Sequence, residues 1–98
     1  MAWTAERCTV GGVMHGGALM AFADTLGAVC AFLNLPEGAS TTTVESKTNF
    51  FRGVREGQVV GVTHPLHAGR TLIVVQTDLT GPDDRRVAQV TQTQAVLQ

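Results

Sequence analysis

The chain is short of nearly everything that would tie it to a charged or membrane-borne partner. Its 98 residues carry 7 Lys and Arg against 8 Asp and Glu, a formal net charge of −1, with no run of like charge. Binding to a phosphate backbone needs a clustered basic surface, so nucleic acid is not expected as a partner. No segment reaches the roughly 20 unbroken apolar residues of a membrane span, and Glu6 and Arg7 stand too near the start for a secretory hydrophobic region. The expectation is a cytoplasmic protein with no membrane partner. Cysteine is scarce as well. Cys8 and Cys30 lie at no metal-ligand spacing, and a reducing compartment disfavours a disulfide between them. Cys30, set among apolar residues at helical spacing, reads as a buried reduced thiol. His64 and His67 have no Cys or carboxylate at ligand spacing, so no metal is expected there either.

What remains is a chain with 44% hydrophobic residues, the profile of a single domain spanning residues 1–98. A domain of this length buries only about two-thirds of the surface its unfolded chain exposes, so burial against further copies, as a homodimer or homotetramer, is expected. From His15 to Leu33 the residues Leu19, Phe22, Ala23, Leu26, Cys30 and Leu33 recur at helical spacing. Pro36 disfavours helix in the residue before it, which ends the helix near Asn34. The period then changes to two. TTTVESKTNFF (41–51) reads as a long strand, with Glu45 and Lys47 on one face and Val44 and Phe50 on the other. QVVGVTHPL, TLIVVQTDL and VAQVTQTQAVL follow as further strands, separated by the turns HAGR and GPDDR. Such short connections predict antiparallel neighbours, and the one helix must cover the sheet's apolar face.

The segments GGVMHGGALMAFADTLG, TTTVESKTNFFRG and HAGRT resemble the phenylacetic-acid-type and 4-hydroxybenzoyl-CoA-type thioesterases of the hotdog fold. His15, Gly16, Gly17, Asp24, Phe50, Arg52, Gly69 and Arg70 fall into that family's pattern in order. The resemblance covers nearly the whole chain. It implies an α+β hotdog fold, a long central helix wrapped by a curved antiparallel sheet, and hydrolysis of an acyl-CoA or aroyl-CoA. No cofactor is implied, since coenzyme A belongs to the substrate. One departure is that related thioesterases carry a further strand before the HGG segment, with an Asn or Gln about six residues before the His. Here fourteen residues precede His15 and Thr9 stands at that position, so the N-terminal strand is expected to be short or missing, with Trp3 as its remnant.

The residues themselves support this chemistry. Backbone N–H groups at a helix N-terminus lack intrahelical partners, and the helix dipole favours negative charge there. Gly16 and Gly17 would therefore offer an oxyanion site to a thioester carbonyl, unless they serve only a tight helix start. Asp24 interrupts the apolar run among Gly17, Met20, Ala21, Gly27, Ala28 and Ala31. A carboxylate in such surroundings is either functional or placed on a solvated stripe; as the catalytic group it would attack the thioester or activate a water. His15 and Asp24 are nine positions apart, nearly 14 Å along a helix axis, so a site using both ends must draw on two copies.

His15 reads as a positioning residue. The resemblance places a Ser or Thr near the acid to orient water: Thr43 by the strand end, Thr42 by counting, with ordinary strand-forming threonines the alternative. Gly17, Gly69, Arg52 and Arg70 are candidates for substrate binding, the arginines for the phosphates of coenzyme A. Met14, Met20, Phe22 and Phe51 are candidates to line the acyl pocket.

Overall fold

The computed structural model describes residues 1–98. The apolar stripe forms α1, Gly16–Leu33, an 18-residue helix capped by His15 and Asn34 and about 27 Å long. Its buried row is Leu19, Ala23, Gly27 and Ala31. The spacing had placed Phe22, Leu26, Cys30 and Leu33 on the same stripe, but the first three are half-buried and Leu33 is exposed. The contact line runs instead along the smaller residues, where the sheet approaches most closely. By length and composition α1 would also pass for a membrane span, a property shared by helices that lie across a sheet as this one does.

Four strands follow: β1 (Ser40–Phe50), β2 (Val60–Ala68), β3 (Leu72–Thr80) and β4 (Arg86–Leu97). They form one antiparallel sheet in the order β1-β4-β3-β2. β2 to β3 and β3 to β4 are hairpins, as their short links predict. β1 and β2 are not neighbours; they form the two edges. Their link, residues 51–59, runs past the start of α1, where Met14 N–H donates to Val54 O at 2.8 Å, and it buries Val54 and Val59 in the core. The gain from burying those side chains explains a crossing that link length alone did not predict. On β1, Glu45 and Lys47 do share the outer face, but the register shifts between Thr43 and Glu45. Val44 is the extra residue of a bulge, so the strict alternation assumed for it breaks there.

At the N-terminus Ala2 bridges Gln58, with Trp3 N–H donating to Gly57 O at 2.8 Å. The Trp3 indole N–H donates to Gly12 O at 3.0 Å. This is a short strand-like contact beside the 57–59 segment.

Two apolar clusters fill the space between helix and sheet. One gathers Met14, Leu19, Ala23, Val54, Leu79 and Val90 with their neighbours; the other gathers Ala31, Ile73, Val75 and Val96. Between them lies a polar band of Thr77, Gln92 and Gln94, each at most 1% exposed. Buried amides need partners, and Gln92 Nε2 donates to Ala23 O at 3.4 Å on the helix. Gly27 exists for this contact, because a Cβ there would stand 2.0 Å from Gln92 Nε2. Alanine is favoured over glycine in a helix interior by up to about 1 kcal/mol, yet overpacking a filled core costs about 1–3 kcal/mol. Gly27→Ala is accordingly expected to lower unfolding free energy by about 1–2 kcal/mol, measured as a fall in the denaturation midpoint. A rise would show that Gln92 moves aside freely.

Candidate functional site

His15 is extended (φ −63°, ψ 134°) and its imidazole Nδ1 accepts the Gly17 N–H at 2.9 Å. Its own backbone N–H donates to Arg7 O at 2.7 Å. A ring nitrogen that accepts must be unprotonated, so the neutral imidazole carries its proton on Nε2. Capping occupies Gly17, which removes it from the pair of free donors read from the sequence. Gly16 N–H has no acceptor within the chain. It is the amide left for an outside oxygen. The space beside it is set by Phe50, whose Cζ lies 3.1 Å from where a Gly16 Cβ would stand. Thr9, Val13, Gly16, Phe50, Phe51 and Arg52 line an open depression of about 420 Å³ there. Met14, 3% exposed, belongs to the core and also forms part of the floor of this depression.

The cap predicts a stability effect. His15→Ala leaves the Gly17 N–H without its partner and is expected to lower stability by about 1 kcal/mol, whereas His15→Asn, which retains a capping oxygen, recovers most of it. Equal loss in both variants in thermal unfolding would show that the imidazole contributes through packing.

Asp24 lies eight residues along the helix from Gly16, about 12 Å away. It is exposed, with no hydrogen bond or ion pair inside the chain. The burial expected of a carboxylate among small residues is therefore not met within one copy. The helix surface beside it is nonetheless apolar: Met20 is 42% exposed and Phe32 67%, and Ala21 is exposed too. Cys30, half-buried at the edge of this region, has its thiol pKa pushed up by desolvation.

The two threonine candidates part company on β1. Thr43 faces the helix side, where its Oγ1 accepts from Gln94 Nε2 at 2.8 Å. Thr42 is paired with Ala95 and points to the opposite face, away from α1 and Asp24. Arg52 sits at the Gly16 end, 3.9 Å from Asp83, a surface pairing worth at most about 1 kcal/mol. Gly69 and Arg70 belong to the β2–β3 turn. Arg70 lies beside Pro36 and Val96, at the helix's C-terminal end. A single copy therefore unites His15, Gly16, Phe50 and Arg52, and holds Asp24, Thr43, Gly69 and Arg70 apart from them. His64 and His67 are exposed on β2, and no cluster of His, Cys, Asp or Glu could hold a metal ion.

The residues missed from the sequence are Gln92 and Gln94. Their positions in VAQVTQTQAVL share the parity of Val90 and Val96, which was the available signal that they point inward.

A long helix lying across an antiparallel four-stranded sheet defines the hotdog class. The chain belongs to the thioesterase superfamily, whose family model matches residues 11–88. It is 42% identical over 59 residues to the proofreading thioesterase EntH of Cronobacter sakazakii, covering 60% of this chain and 43% of that one. The crystal structure of a Haemophilus influenzae thioesterase superposes with a TM-score of 0.95 at 29% identity, over 99% of this chain and 68% of that one. A mutant thioesterase from Pseudomonas aeruginosa gives 0.94 at 30% identity, over 99% and 70%. A Bacillus halodurans protein solved with CoA shares the fold, with a TM-score of 0.93 at 23% identity over 99% of this chain and 68% of that one. The chain spans between 43% and 58% of the length of the curated relatives it matches.

Proposed function

We propose that the chain hydrolyses the thioester of an acyl-CoA or aroyl-CoA in the cytoplasm, without a cofactor, at a site shared between two copies. The observation that carries this reading is the unpaired Gly16 N–H at the start of an apolar helix, held open while His15 occupies the neighbouring amide. A thioester carbonyl placed against Gly16 N–H gains stabilisation as its oxygen becomes negative; removing one such donor typically costs about 3 kcal/mol of transition-state stabilisation. Asp24 of the second copy supplies the carboxylate, as nucleophile or as base for a water. Helices pairing antiparallel about a two-fold axis would bring the Gly16 end of one copy to the Asp24 of the other and bury the exposed Met20–Phe32 stripe. The desolvation absent from one copy would then arise in the dimer. Arg52, and Arg70 and Gly69 from across the interface, would meet the coenzyme's phosphates.

A second reading is a hotdog module that binds acyl-CoA or serves in assembly without turnover. Thr9 favours it, standing where related thioesterases carry an amide side chain. Thiol release from short-chain, long-chain, phenylacetyl and hydroxybenzoyl CoA thioesters separates the two. Turnover of any of them supports hydrolysis, and binding without thiol release supports the module.

A further inference from the structure

Two buried glutamines connect the strand that carries Thr43 to the helix turn that carries Asp24. Gln94 is 1% exposed and Gln92 0%. The Gln94 Nε2 donates to Thr43 Oγ1 at 2.8 Å and to Gln92 Oε1; its Oε1 lies 3.1 Å from Thr41 Oγ1, whose one hydrogen is shared with Ala95 O at 3.0 Å. Gln92 Nε2 in turn donates to the Ala23 carbonyl, next to Asp24. Rotating the Gln94 amide by half a turn would set its oxygen against the Gln92 oxygen, so the network fixes which end faces Thr43.

A hydroxyl has one hydrogen to give. Because Thr43 Oγ1 accepts from Gln94 and donates to nothing within the chain, its proton is left for an acceptor outside. Thr43 is exposed, so such an acceptor can reach it. We infer that Gln94 is a positioning residue: its amide, oriented from behind by Gln92, turns the Thr43 proton outward, towards an oxygen of the reacting system. This rests on the proposed thioester hydrolysis and adds to it a reason why two amides are buried in an otherwise apolar core.

The test is a double-mutant cycle of Thr43→Val, Gln94→Met and the pair, with Asp24→Asn beside it, on whichever CoA thioester the native chain hydrolyses best. Thr43→Val and Gln94→Met are each expected to lower kcat by roughly tenfold, the scale of one directed hydrogen bond, with KM unchanged. Gln94→Met should then have no further effect in the Thr43→Val background. Equal effects of Gln94→Met in both backgrounds, or native kcat in Thr43→Val, would overturn the inference. If Gln94→Met does not fold, Gln92→Met, which removes the oxygen that orients the Gln94 amide, takes its place. A kcat loss that vanishes in the Thr43→Val background supports the inference, and one that persists or never arises overturns it. Undiminished turnover by Asp24→Asn would instead overturn the parent reading, whatever the cycle gives.

Discussion

Asp24→Asn is expected to lower kcat on a CoA thioester by at least about a hundredfold while leaving folding and assembly unchanged. Asparagine keeps the size of the side chain and removes its charge and basicity. Within one copy Asp24 is exposed and makes no hydrogen bond or ion pair, so the substitution should not lower the stability of the folded chain. In the proposed dimer the same carboxylate would face the second copy beside Met20 and Ala21, its neighbours one helical turn away. Asparagine has nearly the same shape, so association should stay intact. The combination of lost turnover with unchanged assembly is specific to a carboxylate held for chemistry. Lost turnover accompanied by dissociation would mean that Asp24 holds the copies together.

Gly16→Val is expected to have an effect of similar size by a different route. A Cβ at this position meets the Phe50 ring at 3.1 Å, and the branched side chain would occupy the approach to the free N–H. Phe50 is 50% exposed and can turn away, so the fold should survive. Loss of one oxyanion donor corresponds to roughly a hundred- to a thousandfold in kcat, and steric exclusion of the carbonyl would add a rise in KM. If Gly16→Val instead retains native kcat, the amide is not the donor.

The helix was legible in the sequence to within a residue, because its apolar spacing and Pro36 mark both its course and its end. Its buried face was not, because spacing cannot tell a large apolar residue over the core from one on an unpartnered surface. Leu33 and Val29 look as interior as Leu19 by composition, and only the position of the sheet separates them. Strand identities followed from alternation and turn residues. The edge-to-edge placement of β1 and β2 did not, since it depends on burying Val54 and Val59 beneath the helix start. At the site, HGG marked the helix N-terminus correctly, but which glycine keeps a free amide depends on the His15 rotamer, and a sequence carries no rotamers. Thr42 and Thr43 could not be ranked until the register with Gln94 fixed their faces. Gln92 and Gln94 were passed over because glutamine in a strand usually signals solvent, and their inward parity is offset here by mutual hydrogen bonding and by Gly27.

The central claim is that one reaction site takes Gly16 from one copy and Asp24 from another. Co-expression of Asp24→Asn and Gly16→Val chains under two different tags, with purification through both, yields the mixed dimer. In a shared site the intact Gly16 of the first chain meets the intact Asp24 of the second, so one of two sites is whole. About half the native turnover per dimer is expected, from two chains that are each inactive alone. A mixed dimer as inactive as its parents, with both parents folded, would place Gly16 and Asp24 in separate sites and contradict the account.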